Sequence, residues 1–236
     1  VKQGSGAAVD KALASSEVGA CKHLQYKIGV LYAHAGRMSE DELYSEKGGS
    51  PLYEEFLAFL GDRITLQGWD KFRGGLDVTS NTTGKESVYT TLGRLEIMFH
   101  VCTLLPCVEG DQQKLERKRH IGNDFVTVVF FEPPVTDPSA VFDPSVLTSQ
   151  FTQVVIVVSP ALDPEGKLAG YSINVVTKAD IPPFPPSLHE PGSGFYPKDE
   201  ATRTFLLTQS NKQTNTRVRS FHLLFFFNTQ SSTLRG

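Results

Sequence analysis

Leu95-Glu96-Ile97-Met98-Phe99-His100-Val101-Cys102-Thr103 and Phe125-Val126-Thr127-Val128-Val129-Phe130-Phe131 are dense in β-branched and aromatic residues, with a polar stretch between them. That density predicts strands buried on both faces. Phe151 to Val158 and Tyr171 to Val176 continue the pattern, and Leu24 to Leu31 reads as a further strand. Val88 to Leu92 is joined to Leu95 by Gly93-Arg94, a spacing that predicts a tight hairpin. Helices intervene. Ser39 and Glu42 have capping-box spacing, and Ser50-Pro51 opens a helix whose Leu52, Phe56, Phe59 and Leu60 share a core face. Together these elements predict an α/β fold, a mixed central β-sheet flanked by helices.

Composition narrows the function. The chain has 236 residues, 39% of them hydrophobic, enough to bury a sizeable core. Its 23 basic and 26 acidic residues give a net charge of −3, so no global basic field would hold nucleic acid or an anionic membrane. Cys21, Cys102 and Cys107 are an odd count without C-x-x-C spacing, which disfavours a disulfide framework and a zinc site and fits a cytoplasmic home. No apolar run approaches the roughly eighteen residues of a membrane span. The small, polar stretch 1–23 reads as a frayed leader, and the fold is expected over 24–208. Pro182-Pro183-Phe184-Pro185-Pro186 reads as a rigid extended loop. In 209–236 the run Phe221-His222-Leu223-Leu224-Phe225-Phe226-Phe227 lacks helical periodicity, and this tail is expected to be foreign to the fold.

The segment from Asp111 to Asp124 joins the two quoted strands. Asp111 is a candidate cap, and Leu115 and Ile121 are the only aliphatic positions of the helix it would start. Arg117-Lys118-Arg119-His120 gives that helix a cationic last turn, and Gly122 would end it, leaving Asn123 outward-facing at the edge of a buried strand. On spacing alone, Asn123-Asp124 is a helix end and turn, and the basic run is a solvated face complementing the helix dipole.

The order of residues points further. Lys118-Arg119-His120-Ile121-Gly122-Asn123-Asp124 resembles the signature of the Rap GTPase-activating protein family, which has tuberin and the Ral-directed activators as relatives. Glu55-Phe56-Leu57, Phe59-Leu60-Gly61, Phe72-Arg73-Gly74-Gly75-Leu76-Asp77, Glu86-Ser87-Val88-Tyr89 and Glu96-Ile97-Met98-Phe99-His100-Val101 resemble it in the expected order. The resemblance covers about Tyr26 to Thr208 and is nearest to the Rap-directed branch. It implies that the chain accelerates GTP hydrolysis by a small GTPase of the Ras superfamily, Rap first, with Rheb or Ral as alternatives. It implies that Asn123 supplies a side-chain amide in trans, an asparagine thumb, and that His120 docks or positions it. Lys118, Arg119, Arg117 and Asp124 become contacts to the GTPase. The chain is then an activator, not itself an enzyme, with no cofactor of its own, because GTP and Mg belong to the partner. Recruitment to membranes would come from that partner or from flanking domains.

Competing readings are weaker. Thr83-Gly84-Lys85-Glu86 has Thr79 where a P-loop needs glycine and Glu86 where it needs a hydroxyl, so the chain is not expected to bind GTP itself. Cys102 near His100 reads as packing beside Met98 rather than as a nucleophile. The basic run comes with no RNA- or DNA-binding signature. A docking module that binds a GTPase without activating it shares every motif except the need for Asn123. Two departures from the family pattern, Pro106-Cys107 and Phe184-Pro185-Pro186, bear on the partner interface rather than on Asn123. A dimerisation region that precedes the catalytic domain in Rap-directed members has no counterpart here, which leaves the oligomeric state open.

Overall fold

Strand β1 (Leu24–His34) alternates its buried side chains between two cores: Ile28, Val30 and Tyr32 face one, Leu31 and Ala33 the other. This is what a strand at the centre of a covered sheet requires. The computed structural model describes residues 24–107, 114–178, 194–207 and 233–234. In it, β1 is flanked by β4 (Leu95–Val101) and β5 (Val126–Glu132), both parallel to it. The sheet extends through β3 (Glu86–Leu92) and β2 (Asp62–Thr65) on one side. On the other side follow β6 (Val154–Leu162), β7 (Leu168–Lys178) and β8 (Phe195–Pro197). β6 is parallel to β5, and the outer pairs β2–β3, β3–β4, β6–β7 and β7–β8 are antiparallel, so the sheet is mixed as expected. The two-residue β9 (Thr233–Leu234) pairs parallel with β7. The predicted hairpin joins β3 to β4, and Gly93 takes the left-handed φ of +58° at its turn.

Helix α1 (Glu40–Leu43) starts at Ser39, whose backbone N–H and hydroxyl both donate to the Glu42 carboxylate at 3.1 and 2.6 Å. Helix α2 (Pro51–Leu60) starts at Ser50, whose hydroxyl oxygen accepts from the Tyr53 N–H at 3.1 Å. Its buried face is Tyr53, Phe56, Leu57 and Leu60, with the expected Leu52 and Phe59 only half-buried beside it. Together with α4 (Glu200–Leu207), which buries Phe205, Leu206 and Leu207, it covers the core around Ile28, Phe130 and Ile156. The opposite core, around Leu31, Met98 and Val129, is covered by α1, by α3 (Leu115–Ile121) and by loops. Elements that escaped the sequence reading include the exposed edge strand β2, the three-residue β8 and α4. The first two are too short to show alternation.

Asp111, the Pro182–Pro186 loop, the 1–23 leader and, apart from Thr233–Leu234, the 209–236 tail lie outside the described residues.

Candidate functional site

Helix α3 carries the basic run across β1, from the end of β4 to the start of β5. Only Arg117 and Ile121 are buried in it, and Leu115 is 47% exposed. Ile121 rests on the sheet where β1 has Gly29: a Cβ there would stand 2.6 Å from Ile121 Cγ2. Arg117 supplies the second anchor. Its Nε donates to the carbonyls of Leu105 and Pro106 at 3.2 Å, its Nη2 to Leu105 at 2.8 Å, and its Nη1 to Tyr44 at 2.9 Å and to Glu46. One guanidinium thus joins α3 to the chain after β4 and to the end of α1. Gly122 then closes the helix, its N–H donating to Lys118 O at 2.8 Å.

Beyond Gly122 the chain turns sharply: Asn123 N–H donates to His120 O at 3.2 Å and Asp124 N–H to Ile121 O at 3.0 Å. Asp124 is fully buried. Its Oδ2 lies 2.7 Å from His100 Nδ1, its Oδ1 lies 3.6 Å from Lys27 Nζ, and its carbonyl accepts from Thr152 Oγ1 at 3.1 Å. His100, on β4, has its other nitrogen 3.0 Å from Gly74 O. The His100 ring is thus held between a carboxylate and a backbone carbonyl. His120 stands edge-on to His100, ring centroids 5.2 Å apart. Burial and the neighbouring His100 lower its pKa, which favours the neutral ring.

The expected site residues therefore separate. Asn123 is exposed, with Nδ2 donating to Arg119 O at 2.6 Å and no partner for its oxygen among the described residues. His120 is half-buried just below it. Arg119 is 69% exposed at the side chain and, among the described residues, forms its ion pair with Glu116 alone, at 2.9 Å. Lys118 folds back onto Asp41 at 3.1 Å, Glu40 at 3.6 Å and the ring of Tyr44. Arg117 and Asp124, expected to touch a partner, are 2% and 0% exposed and engaged internally. They are mounting residues instead, because a buried charged group cannot leave its partners without a large desolvation penalty. His100 does more than pack: it bonds both Asp124 and the 74 carbonyl. Cys102 is a core residue, its thiol pushed up to about 12 by burial, which removes it as a nucleophile.

One exposed group beside Asn123 had no signal in the sequence. Phe151 is 65% exposed, yet its loop is fastened to the Asn123 turn. Ser149 Oγ donates to Gly122 O at 2.5 Å and accepts from the N–H groups of Phe151 and Thr152, while Gln153 N–H donates to Phe125 O at 2.9 Å. Phe151 had been read as the start of a strand, but β6 begins at Val154.

Comparison with known proteins fits this geometry to a family. The family model described as Rap/ran-GAP matches residues 43–226. The chain belongs to the Rap/ran-GAP family. It is 41% identical over 186 residues to GTPase-activating protein DDB_G0291510 of Dictyostelium discoideum, covering 79% of this chain and 17% of that one. Against Signal-induced proliferation-associated 1-like protein 2 of Homo sapiens, identity is 42% over 185 residues, 78% of this chain and 10% of that one. The chain thus spans less than a fifth of the length of these relatives. Among solved structures, that of the TSC2 GAP domain superposes with a TM-score of 0.60 at 32% identity, over 69% of this chain and 85% of that chain. The Rap/ran-GAP match runs past residue 208, where the fold was expected to end. Among the described residues, no helix is long and apolar enough to cross a membrane, and no group of three or more His, Cys, Asp or Glu could hold a metal ion.

Proposed function

We propose that this domain activates GTP hydrolysis by a Rap-type small GTPase, with Asn123 entering the partner's active site to orient the attacking water. GTP and Mg are bound by the GTPase, and the domain adds the one group the partner lacks. The observation that carries this reading is Asn123 itself, an exposed carboxamide on a turn fixed by the buried Asp124–His100 pair and by Arg117. A carboxamide oxygen accepts from water while its nitrogen donates to a phosphate oxygen, a combination open to neither a carboxylate nor an ammonium. In the free domain the nitrogen bonds Arg119 O and the oxygen has no partner among the described residues. Engagement then needs one side-chain rotation and no backbone change. His120, its neutral ring favoured by burial, serves as a positioning residue beneath the turn. Phe151 and Arg119 border Asn123 as docking contacts.

Single-turnover hydrolysis by Rap, Rheb and Ral, alone and with wild-type or Asn123→Ala domain, tests this. The variant is expected to lose at least roughly a hundredfold in rate, about 3 kcal/mol of transition-state stabilisation, as for a lost oxyanion-hole donor. Acceleration that survives the substitution removes Asn123 from the mechanism. A folded wild type that binds a GTPase without accelerating it is a docking module.

A further inference from the structure

The loop Trp69–Leu76 ends beside the Asn123 site and carries Arg73. The loop is rigid. Trp69 Nε1 donates to Phe72 O at 3.2 Å, Leu76 N–H donates to Arg73 O at 2.9 Å, and the Leu76 side chain is 1% exposed. Gly74 sits so close to β4 that a Cβ would meet the Met98 side chain at 2.9 Å, and its φ of +62° suits glycine. Its carbonyl lies 3.0 Å from the His100 ring that supports Asp124 and borders His120. Arg73, the preceding residue, is exposed, and its guanidinium has no partner among the described residues.

Other cations of the loop and of the Asn123 site differ in this respect. Lys27 faces Asp124, Lys118 faces Glu40 and Asp41, and Arg119 faces Glu116. Lys71 lies over the rings of Trp69 and Tyr89. Asp77, the acidic residue nearest in sequence on the far side of the turn, has its carboxylate held by Thr79, Ser80 and Thr82. A guanidinium on a fixed backbone, without a partner among the described residues, is preorganised for bidentate pairing with a planar carboxylate. We propose that Arg73 docks the small GTPase by pairing with a carboxylate on its surface, as a positioning contact distinct from the thumb. The inference rests on the GTPase-binding half of the reading above and does not depend on its catalytic half.

The test measures the affinity of the whole chain for Rap loaded with a non-hydrolysable GTP analogue, and single-turnover hydrolysis over a range of domain concentrations. Wild type is compared with Arg73→Ala, Arg73→Glu and Arg73→Lys. The Kd is expected to weaken about tenfold for Arg73→Ala, further for Arg73→Glu, and to recover in part with Arg73→Lys. The rate at saturation should stay within about twofold of wild type, and added salt should weaken the wild type more steeply than Arg73→Ala. Melting temperatures should not move, since the exposed guanidinium has no hydrogen-bond or ion-pair partner among the described residues. Unchanged affinity in Arg73→Glu overturns the proposal, as does a melting temperature lowered in all three variants. A fall in the saturated rate at unchanged affinity also overturns it, assigning Arg73 to a phosphate instead. If wild type accelerates no GTPase but Arg73→Glu still weakens binding, the activating reading fails and the Arg73 contact stands; absence of any binding sinks both.

Discussion

Helix α2 turns Tyr53, Phe56, Leu57 and Leu60 to the core, whereas α3 turns only Ile121 and the guanidinium of Arg117 inward. The first is held by apolar area, the second by a methyl group over a glycine and a set of hydrogen bonds to backbone carbonyls. Apolar burial is non-directional and uses up a helix face. Hydrogen bonds to fixed carbonyls are directional and occupy a single side chain, so α3 can leave Arg119, His120 and Asn123 at or near the surface in a defined orientation. The contrast is between a helix that stabilises the fold and one that presents a group.

Substitutions can break that contrast. The largest expected effect is in α2: Phe56→Ala empties a fully buried site stacked on Phe130 and should cost about 3–5 kcal/mol in chemical denaturation. A loss below 1 kcal/mol would mean that α2 is not the apolar anchor described. Next, Arg117→Ala removes the charged fork and leaves buried carbonyls unsatisfied, for an expected loss of about 3 kcal/mol. Arg119→Ala, two residues along on the exposed face, should stay within about 0.5 kcal/mol. Equal effects at the two positions would refute the division of labour within α3.

The smallest effect is in pH. Burial and His100 lower the His120 pKa in the folded protein, so the unfolded chain binds the proton more readily. The stability linked to His120 is therefore complete above the ordinary histidine range and is lost as pH falls through it toward the lowered folded value. Melting curves between about pH 7.5 and 5 should show a decline that is shallower in His120→Gln. A steeper decline in the variant would reverse the sign. Asp124, Glu116 and Lys27 also act on this ring, so the comparison is with the variant rather than with an ideal slope.

The strands were legible because alternation and β-branched density are local properties, and the two-residue gap at Gly93-Arg94 leaves a hairpin little choice. The Ser39 and Ser50 helix starts were legible for the same reason: their partners lie three residues away. Edge strand β2 was not, since its exposed Asp62-Arg63-Ile64-Thr65 has no buried face to generate a pattern. Nor was the exposure of Phe151, an aromatic that belongs in a strand by propensity and is held out of it by Ser149 and Gln153.

Within Arg117-Lys118-Arg119-His120 the sequence by itself determined a cationic helix end and, through the order of residues around Asn123, the family. It could not say that Arg117 points inward and Arg119 outward, because that depends on where the carbonyls of Tyr44, Leu105 and Pro106 arrive in space. Nor could it join His100 to Asp124 or place the Gly74 carbonyl on the His100 ring, since those contacts span 24 and 26 residues. Local spacing fixes which residues share an element. Only the packing of β4, β1 and β5 under α3 decides which charges are desolvated and must be paired, and which stay in water, free to meet a partner.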